Sequence, residues 1–521
     1  MRRSRNNRSS RNKSSNSSNN SNSSQKTTSS SQLFPCTIDQ LKQKLQETFN
    51  QSPDLSFQTF TVQQQKIAVF YLQYQINKDQ LNKSILDTIL SGNQQWDSQS
   101  ILNKVPLGTG ATKDEMDPIA KAIIQGSIGV YVEQDSEAIM FLAPELARRA
   151  VARAENESLV LGPQIAFTES LITNMNILRW RLDTTDFQTE KIIVGEDVPT
   201  EVRIVYLKDL ANEENVNTIR QRIKELKVDD LPDSNILAQM IEDKSSSVFP
   251  QLLTTELPDR VCNSLTKGKV GILVDKSPHA IVAPASLFSF FESTEDLYMR
   301  WNMGTFIRVL RMLAMLISIL LTPAYVAALT FHVEIIPSSL LVSLGKSRAN
   351  VPFPPVFEAL LLELLIELLR EAGARLPTKV GQTMGIVGGI VLGQAAVKAG
   401  FTSNILIIII ALSALASFTA PSYMMGTAIR VVRFPMIILS GLWGLVGIIL
   451  GLSFLIIHLM KLTSLGRPYL TPVYPFHLKD FDNSLMRLPW SQSTHRPLGN
   501  QPKKVKMYSE KKAKKKKDID E

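Results

Sequence analysis

The chain has few of the residues from which metal sites and disulfide frameworks are built. Its 521 residues include two cysteines, Cys36 and Cys262, and five widely separated histidines. Neither residue type recurs at the spacing of a zinc site, and two cysteines exclude the disulfide framework of a small secreted domain. Two free thiols in a reducing compartment are the simpler interpretation. We therefore expect no metal site.

Catalytic motifs are also missing from the sequence. It contains neither the GxxxxGK[ST] phosphate-binding loop nor the GxSxG nucleophile elbow. The segment Gly108-Thr-Gly110 is only a fragment of a phosphate-binding loop. The chain starts without the apolar core of a signal peptide, so cleavage of a signal is not expected. We expect a protein that is not an enzyme and that uses no cofactor.

Positive charge is concentrated at the two ends of the chain. Residues 1–32 carry +7 and residues 496–521 carry +6, whereas the whole chain carries +9, so the body between them sums to −4. A nucleic-acid partner is therefore not expected. The Ser/Asn-rich residues 1–32 predict a disordered tail because they offer almost no apolar surface to bury. Residues 466–521 are interpreted as a Lys-rich cytoplasmic tail, either solvated or held at anionic lipid headgroups.

Residues 33–300 have the pattern of soluble α/β structure. Two short apolar strands, 129–132 and 138–142, are separated by a polar turn, which is typical of a β-hairpin. A similar pair, 271–274 and 280–283, follows at a constant offset of 142 residues. This repeat predicts two related cytoplasmic subdomains, which we place at 33–182 and, with a linker, at 183–300.

The sequence becomes strongly apolar after residue 308. Uncharged stretches long enough to cross a bilayer predict about four membrane spans, near 312–331, 380–397, 405–420 and 436–457. The predicted transmembrane domain covers 301–465. An even number of spans agrees with both tails being cytoplasmic. In this topology Arg430 and Arg433 would lie in a loop on the outer side.

A helix predicted at 356–371 carries too many acids for an ordinary span. Glu363, Glu367 and Glu371 fall within an arc of about 80° on a helical projection, opposite a leucine-rich face. Three carboxylates facing lipid would be costly. We therefore expect an amphipathic helix that lies in the membrane interface, or one that turns its acidic face toward water or protein.

The predicted span at 380–397 contains a stripe of small residues. Glycines recur there at every fourth position, with one more beside them: Gly381, Gly385, Gly388, Gly389 and Gly393. Overlapping GxxxG patterns favour close contact between helices. Thr383 and Gln394 lie on a different face, as the polar strip of a pore-lining helix would. Packing within the chain explains the same residues equally well, so both interpretations stay open at this point.

Longer motifs give the chain a recognisable pattern from about residue 125 to residue 490. They include GPQIAFTESL at 162–171, SPHAIVAP at 277–284, PFPP at 352–355 and LREAGARLP at 369–377, followed by VGQ at 380–382 and GQAA at 393–396. In these motifs the chain resembles the A subunit of the GerA-type nutrient germination receptors of endospore-forming bacteria. The two basic tails lie outside the family pattern, and residues 33–120 match it only loosely.

The resemblance implies a place in a receptor complex of the spore inner membrane. The complex would contain this A subunit, a B subunit that resembles amino-acid transporters and takes the germinant, and a C subunit that is a lipoprotein. The A subunits would form a homo-oligomer, expected to be a pentamer, that acts as a nutrient-gated cation channel. The N-terminal region and the C-terminal tail would face the spore core.

The resemblance favours the interpretation of 380–397 as a pore-lining helix over the interpretation as packing within the chain. Thr383, Gly389, Leu392 and Gln394 are then the candidates to line the pore, and a ring of Leu392 side chains is suited to gating by dewetting. A membrane-anchored scaffold or signalling subunit is the main alternative. A secondary transporter component is another, although the sequence shows no paired half-repeat of broken helices.

Overall fold

The computed structural model describes residues 34–92, 94–108, 110–145, 153–154, 157, 159–375, 389, 391, 393–489 and 493–507. Two α/β subdomains are followed by a helical bundle and by a C-terminal segment that returns to the second subdomain. Several predictions lie outside the described residues. These are the tail at 1–32, the end of the Lys-rich tail, and Thr383, Leu392, Gly381, Gly385 and Gly388.

The first subdomain is a five-stranded antiparallel sheet between two layers of helices. Its strand order is β1-β2-β4-β5-β3. The strands are β1 (Leu55–Val62), β2 (Gln65–Leu72), β3 (Gly110–Lys113), β4 (Ser127–Val132) and β5 (Ala138–Leu142). The helices are α1 (Ile38–Thr48), α2 (Lys78–Gln80), which continues through a π-helical turn at Leu81–Leu86 into α3 (Asp87–Ser91), α4 (Ser98–Lys104) and α5 (Met116–Ile124). Every residue of β4 is buried because separate apolar clusters cover the two faces of the sheet.

The second subdomain repeats this architecture. Its strand order is β6-β7-β9-β10-β8, formed by β6 (Phe187–Val194), β7 (Thr200–Leu207), β8 (Leu253–Thr255), β9 (Val270–Val274) and β10 (Ala280–Ala283). The helices are α6 (Leu171–Arg181), α7 (Glu213–Glu225), α8 (Ser234–Ile241), α9 (Pro258–Thr266) and α10 (Glu295–Tyr298). In both sheets, the third strand in sequence is the edge strand beside the fifth.

The predicted hairpin repeat is confirmed, and the structure shows that the two hairpins also share one register. Val130 pairs with Ile139 in the first sheet, and Ile272 pairs with Ile281 in the second, so both partners shift by 142 residues. The turns that lead into the two hairpins match as well. Gly126 has φ +87° and Gly268 has φ +81°, a conformation that residues with a Cβ rarely adopt.

A buried carboxylate joins the two subdomains. Asp54, from the loop before β1, accepts a hydrogen bond of 2.8 Å from Thr189 of β6. It also forms ion pairs of 3.1 Å with Arg179 of α6 and with Arg203 of β7. All four side chains are buried. Because buried charges are tolerated only when they are paired, this cluster fixes the first subdomain against the second.

The helical bundle begins at α11 (Trp301–Thr330) and continues through α12 (Ser338–Arg348), α13 (Pro355–Arg375), α14 (Gly393–Lys398), α15 (Asn404–Ser417) and α16 (Tyr423–Lys461). We call the end that adjoins the second subdomain the near end, and the opposite one the far end. Helix α11 starts at the near end, where Arg311 binds Asp296 of α10. It stops at the far end, where Phe331 lies against Gly444 of α16.

Helix α16 folds back on itself at the far end. Gly444 leaves helical geometry with φ 60° and ψ −137°, and Gly451 lies against Met436. In a straight helix these two residues would be about 22 Å apart. Residues 423–443 and 445–461 are therefore antiparallel arms of a hairpin. The predicted single span at 436–457 contains this reversal, so the structure divides it between the two arms.

The number of four spans is not confirmed. Two of the described helices, α11 and α16, are long and apolar enough to cross a membrane, and α15 is shorter at 14 residues. Most of the predicted span at 380–397 lies outside the described residues. Helix α13, predicted to be interfacial, packs inside the bundle against α11, α15 and α16.

Residues 463–507 are not a free tail. This segment, which we call the C-terminal strap, forms a small hairpin of β11 (Thr463–Ser464) and β12 (Arg467–Pro468), then a short helix α17 (Leu478–Ser484). Tyr469 is fully buried, and its hydroxyl donates to the carbonyl of Pro250 at 2.7 Å. Lys503 pairs with Glu213 of α7 at 2.7 Å. This lysine of the basic run is therefore bound to protein rather than to lipid headgroups.

Candidate functional site

Helix α13 carries a line of carboxylates through the bundle. Pro355 begins the helix, where its missing N–H is not needed, and Val356 lies at the far end against Gly441 of α16. At the near end Arg370 donates to Ser417, the last residue of α15, at 3.4 Å. The acids of α13 are thus distributed along the depth of the bundle rather than along one membrane surface.

Glu363 lies at the centre of this line and is fully buried. It pairs with Arg433 of α16 at 2.8 Å and accepts a hydrogen bond from Thr322 of α11 at 3.2 Å. Arg433 also donates to the hydroxyl of Ser318 and, at 3.4 Å, to the carbonyl of Ser413. This ion pair therefore ties α11, α13, α15 and α16 together. Removing one partner of a buried pair typically costs about 3–5 kcal/mol.

A second buried acid lies near the far end. Glu358 accepts hydrogen bonds from the backbone N–H of Ser403 at 2.6 Å and from the hydroxyl of Thr402 at 3.1 Å. Its other carboxylate oxygen is 3.5 Å from the Nε of Arg348. Ser403 is the N-cap residue of α15. A carboxylate at a helix N-terminus is stabilised by the free N–H groups there.

Toward the near end the acids become more exposed. Glu367 lies 3.2 Å from Arg370 and 3.4 Å from Arg430 of α16. Glu371 pairs with Arg375 at the surface. We call the four carboxylates of α13 and their arginine partners the charge ladder. Each acid of the ladder has a cation beside it, so the ladder holds helices together and leaves no unpaired carboxylate for a permeating ion.

The sequence placed Arg430 and Arg433 in an outer loop, and that prediction is wrong. Both lie inside the bundle, against Glu367 and Glu363. Of the two placements expected for the acidic helix, the structure shows the one in which its acids face protein. The available signal was a complementary pattern: carboxylates four residues apart in α13 and arginines three apart in an otherwise uncharged stretch of α16. Such residues meet across two packed helices.

The described part of the glycine stripe has open space beside it. At Gly389 and at Gly393, no atom of the described residues lies within 4 Å of the position that a Cβ would occupy. Gln394 is exposed. Of the predicted pore residues, the structure thus describes Gly389 and Gln394, and neither is packed into the bundle.

Metal and thiol chemistry find little support. Within the described ranges, no group of three His, Cys, Asp or Glu side chains is placed to hold a metal ion. Cys36 is exposed and Cys262 is half-buried, and both are free thiols. Burial raises the pKa of the Cys262 thiol to about 12, which keeps it in the unreactive protonated form at neutral pH.

Two α/β sheets joined to a bundle with two long apolar helices are typical of a helical membrane protein with a large α/β region outside the bundle. The chain matches the model of the Bacillus/Clostridium GerA spore germination protein family over residues 43–498. It therefore belongs to this family, which comprises the A subunits of spore germination receptors.

Individual relatives agree with this assignment. Spore germination protein GerQA of Bacillus cereus is 43% identical over 464 residues, which cover 88% of this chain and 92% of the relative. Spore germination protein A1 of Bacillus subtilis (strain 168) is 40% identical over 385 residues, which cover 74% and 78%. A crystal structure of the N-terminal domain of the A subunit of the Bacillus megaterium spore germinant receptor GerK3 matches 49% of this chain and 97% of that domain, at 22% identity and a TM-score of 0.38.

Proposed function

We propose that the chain forms a homo-oligomeric, nutrient-gated ion channel in the spore inner membrane and releases cations at the start of germination. Its role is to conduct and to respond to partners rather than to catalyse. The observation that carries the proposal is that none of the described residues lies beside Gly389 or Gly393. Small residues allow close approach of another helix, and a second copy of the chain would supply that helix.

The charge ladder supports a path between subunits rather than through one bundle. Glu363 and Arg433 fill the centre of the bundle with a closed ion pair. An ion that crossed there would have to separate these charges in a tightly packed interior, which is costly. A pore between copies, lined by Thr383, Gly389, Leu392 and Gln394, avoids this cost. We propose five copies in the ring.

The partners and the orientation are also part of the proposal. A transporter-like B subunit would bind the nutrient, and a lipoprotein C subunit would complete the receptor. The soluble region and the strap lie at the same end of the bundle, joined by contacts such as Lys503 with Glu213. We propose that this end faces the spore core.

The proposal is tested by ion release from dormant spores that receive nutrient. Leu392→Ala and Gln394→Leu are compared with wild type at matched receptor levels, and Leu412→Ala, at an exposed position of α15, is the matched control. We expect ion leak without nutrient, or altered release, in the first two variants and wild-type release in the control. Normal release in both, and then in a scan of every bundle helix, would favour a scaffold instead.

A further inference from the structure

A small cavity lies between the second subdomain and the start of α11, away from the charge ladder. Its volume is about 30 Å³, which is room for about two water molecules. Cations dominate the charged residues of its lining, which are Arg260, Lys267, Lys269, Arg308 and Glu292. A closed space with this composition carries an excess of positive charge.

Ion pairs account for three of the four cations. Their carboxylate partners lie in the lining or just behind it: Lys267 pairs with Glu292 at 3.3 Å, Arg260 with Glu157 at 2.8 Å, and Arg308 with Asp296 at 3.4 Å. Asp296 also binds Arg311 through both of its oxygens at 2.8 Å. The nearby acids are therefore all engaged, and Lys269 is the cation left over.

Lys269 is buried immediately before β9. Its ammonium group donates to the hydroxyl of Ser289 at 3.1 Å, and within the described part of the chain this is its one side-chain hydrogen bond. An ammonium has three protons to donate. The carboxylate that faces it, Glu292, is already paired with Lys267. A buried charge without a full set of acceptors is expensive, so a group that accepts hydrogen bonds would stabilise Lys269 from the cavity.

Thr294 provides a second polar group without a partner. Only 4% of its surface is exposed, and its hydroxyl makes no hydrogen bond with any residue that the structure describes. It lines the same cavity as Lys269. A larger crevice of about 290 Å³, open toward solvent, shares Arg260, Ser293 and Thr294 with the cavity. This crevice gives a small ion a way in.

We propose that this cavity binds one monovalent anion of the size of chloride, held by the ammonium of Lys269 and the hydroxyl of Thr294. One negative charge would offset part of the excess positive charge, which water does not do. The space of about two waters admits a halide. The anion would sit where α10 meets α11 and would stabilise the joint between the soluble region and the bundle.

The first test is thermal unfolding of the purified full chain in detergent. Melting temperatures are compared in sodium chloride and in sodium gluconate at equal concentrations. We expect a higher melting temperature in chloride, increasing with its concentration, because a ligand that binds only the folded state stabilises it. The difference should vanish in Lys269→Met and shrink in Thr294→Val. It should persist in Lys224→Met, which removes an exposed lysine of α7.

The second test observes the anion itself. Excess broadening of the ³⁵Cl NMR line by wild type, reversed by added bromide, is expected, and Thr294→Val should reduce it even if Lys269→Met does not fold. Equal melting in the two salts, with no excess broadening, would mean that the cavity holds only water and would overturn the proposal.

A pH series separates the charge of Lys269 from a purely structural role. Burial lowers the pKa of Lys269 to about 8, and the charged groups that face it are Glu292, Lys267, Arg260 and Arg308. Lys269 is therefore expected to titrate near pH 8. The advantage of chloride over gluconate should therefore fall between pH 7 and pH 9. A constant advantage would contradict the assignment of the ammonium as the anion ligand.

Discussion

The two α/β subdomains have the same strand order and the same hairpin register, yet they are held in the molecule in different ways. The first meets the second around the buried carboxylate of Asp54, with further hydrogen bonds such as that from Asn176 to the carbonyl of Tyr74. The second is fastened to the bundle by Asp296, and the C-terminal strap covers it as well. The two copies of the fold are thus held in place by different side-chain contacts, although their sheets have the same topology.

Among the substitutions that test this comparison, Asp296→Ala is expected to have the largest effect on stability. The substitution leaves Arg308 and Arg311 without their carboxylate at the joint between α10 and α11. We expect a loss of about 3–5 kcal/mol in the free energy of unfolding, measured on the purified full chain by denaturant. Glu371→Ala, which breaks an exposed pair, is the control and should cost at most about 1 kcal/mol. Equal losses would show that burial does not decide the effect.

Asp54→Ala should weaken the joint between the two subdomains. It removes the acceptor of Arg179 and Arg203, and we expect a loss of about 3 kcal/mol. Limited proteolysis should then cleave between the subdomains, while the second subdomain and the bundle stay protected. Protection of the whole chain at the wild-type level would mean that other contacts hold the joint.

A matched pair of glycine substitutions tests the same comparison at the turns that lead into the two hairpins. Gly126→Ala and Gly268→Ala both force a Cβ into a left-handed conformation, which costs roughly 1–2 kcal/mol. At Gly268 the new Cβ would also lie 2.8 Å from Pro502 of the strap. Hydrogen exchange in the strap should therefore rise in Gly268→Ala and stay unchanged in Gly126→Ala. The same response in both variants would contradict the assigned position of the strap.

The smallest expected effect concerns the attachment of the strap at low pH. Asp243 is partly buried, which raises its pKa, but hydrogen bonds from Thr463, Gly466 and Arg222 outweigh this and hold the pKa below its ordinary value. The ionised form therefore stabilises the fold above the ordinary pKa, and this contribution is lost as the pH falls below about 4. Hydrogen exchange at 463–468 should increase there. Asp243→Asn should show no such step.

The sequence was informative where a pattern was local. The hairpin repeat followed from two pairs of apolar strands and from residues at a constant offset of 142, and the structure shows both hairpins. The family assignment rested on motifs such as LREAGARLP, which no short periodicity could supply. In both cases the residues that carry the information are neighbours along the chain.

The sequence did not predict the reversal in α16 or the pairing of Arg433 with Glu363, and the reason is physical. Residues 436–457 are uniformly apolar, and hydropathy does not distinguish a straight span from a hairpin that turns at Gly444. The position of Arg433 depends on Glu363, which lies 70 residues earlier in the chain. The strap is rich in prolines and charges and resembles a loose tail, although it is held by buried residues such as Tyr469.

The strap also determines the order in which the molecule can be completed. Leu465 belongs to a core cluster of the second subdomain, and Tyr469 belongs to another. Ribosomes make these residues after both α/β subdomains and the whole bundle. Part of the interior of the second subdomain therefore stays uncovered until residues 465–469 have been translated and α16 has returned to the near end. Only a chain that has formed its bundle can complete the core of its second subdomain.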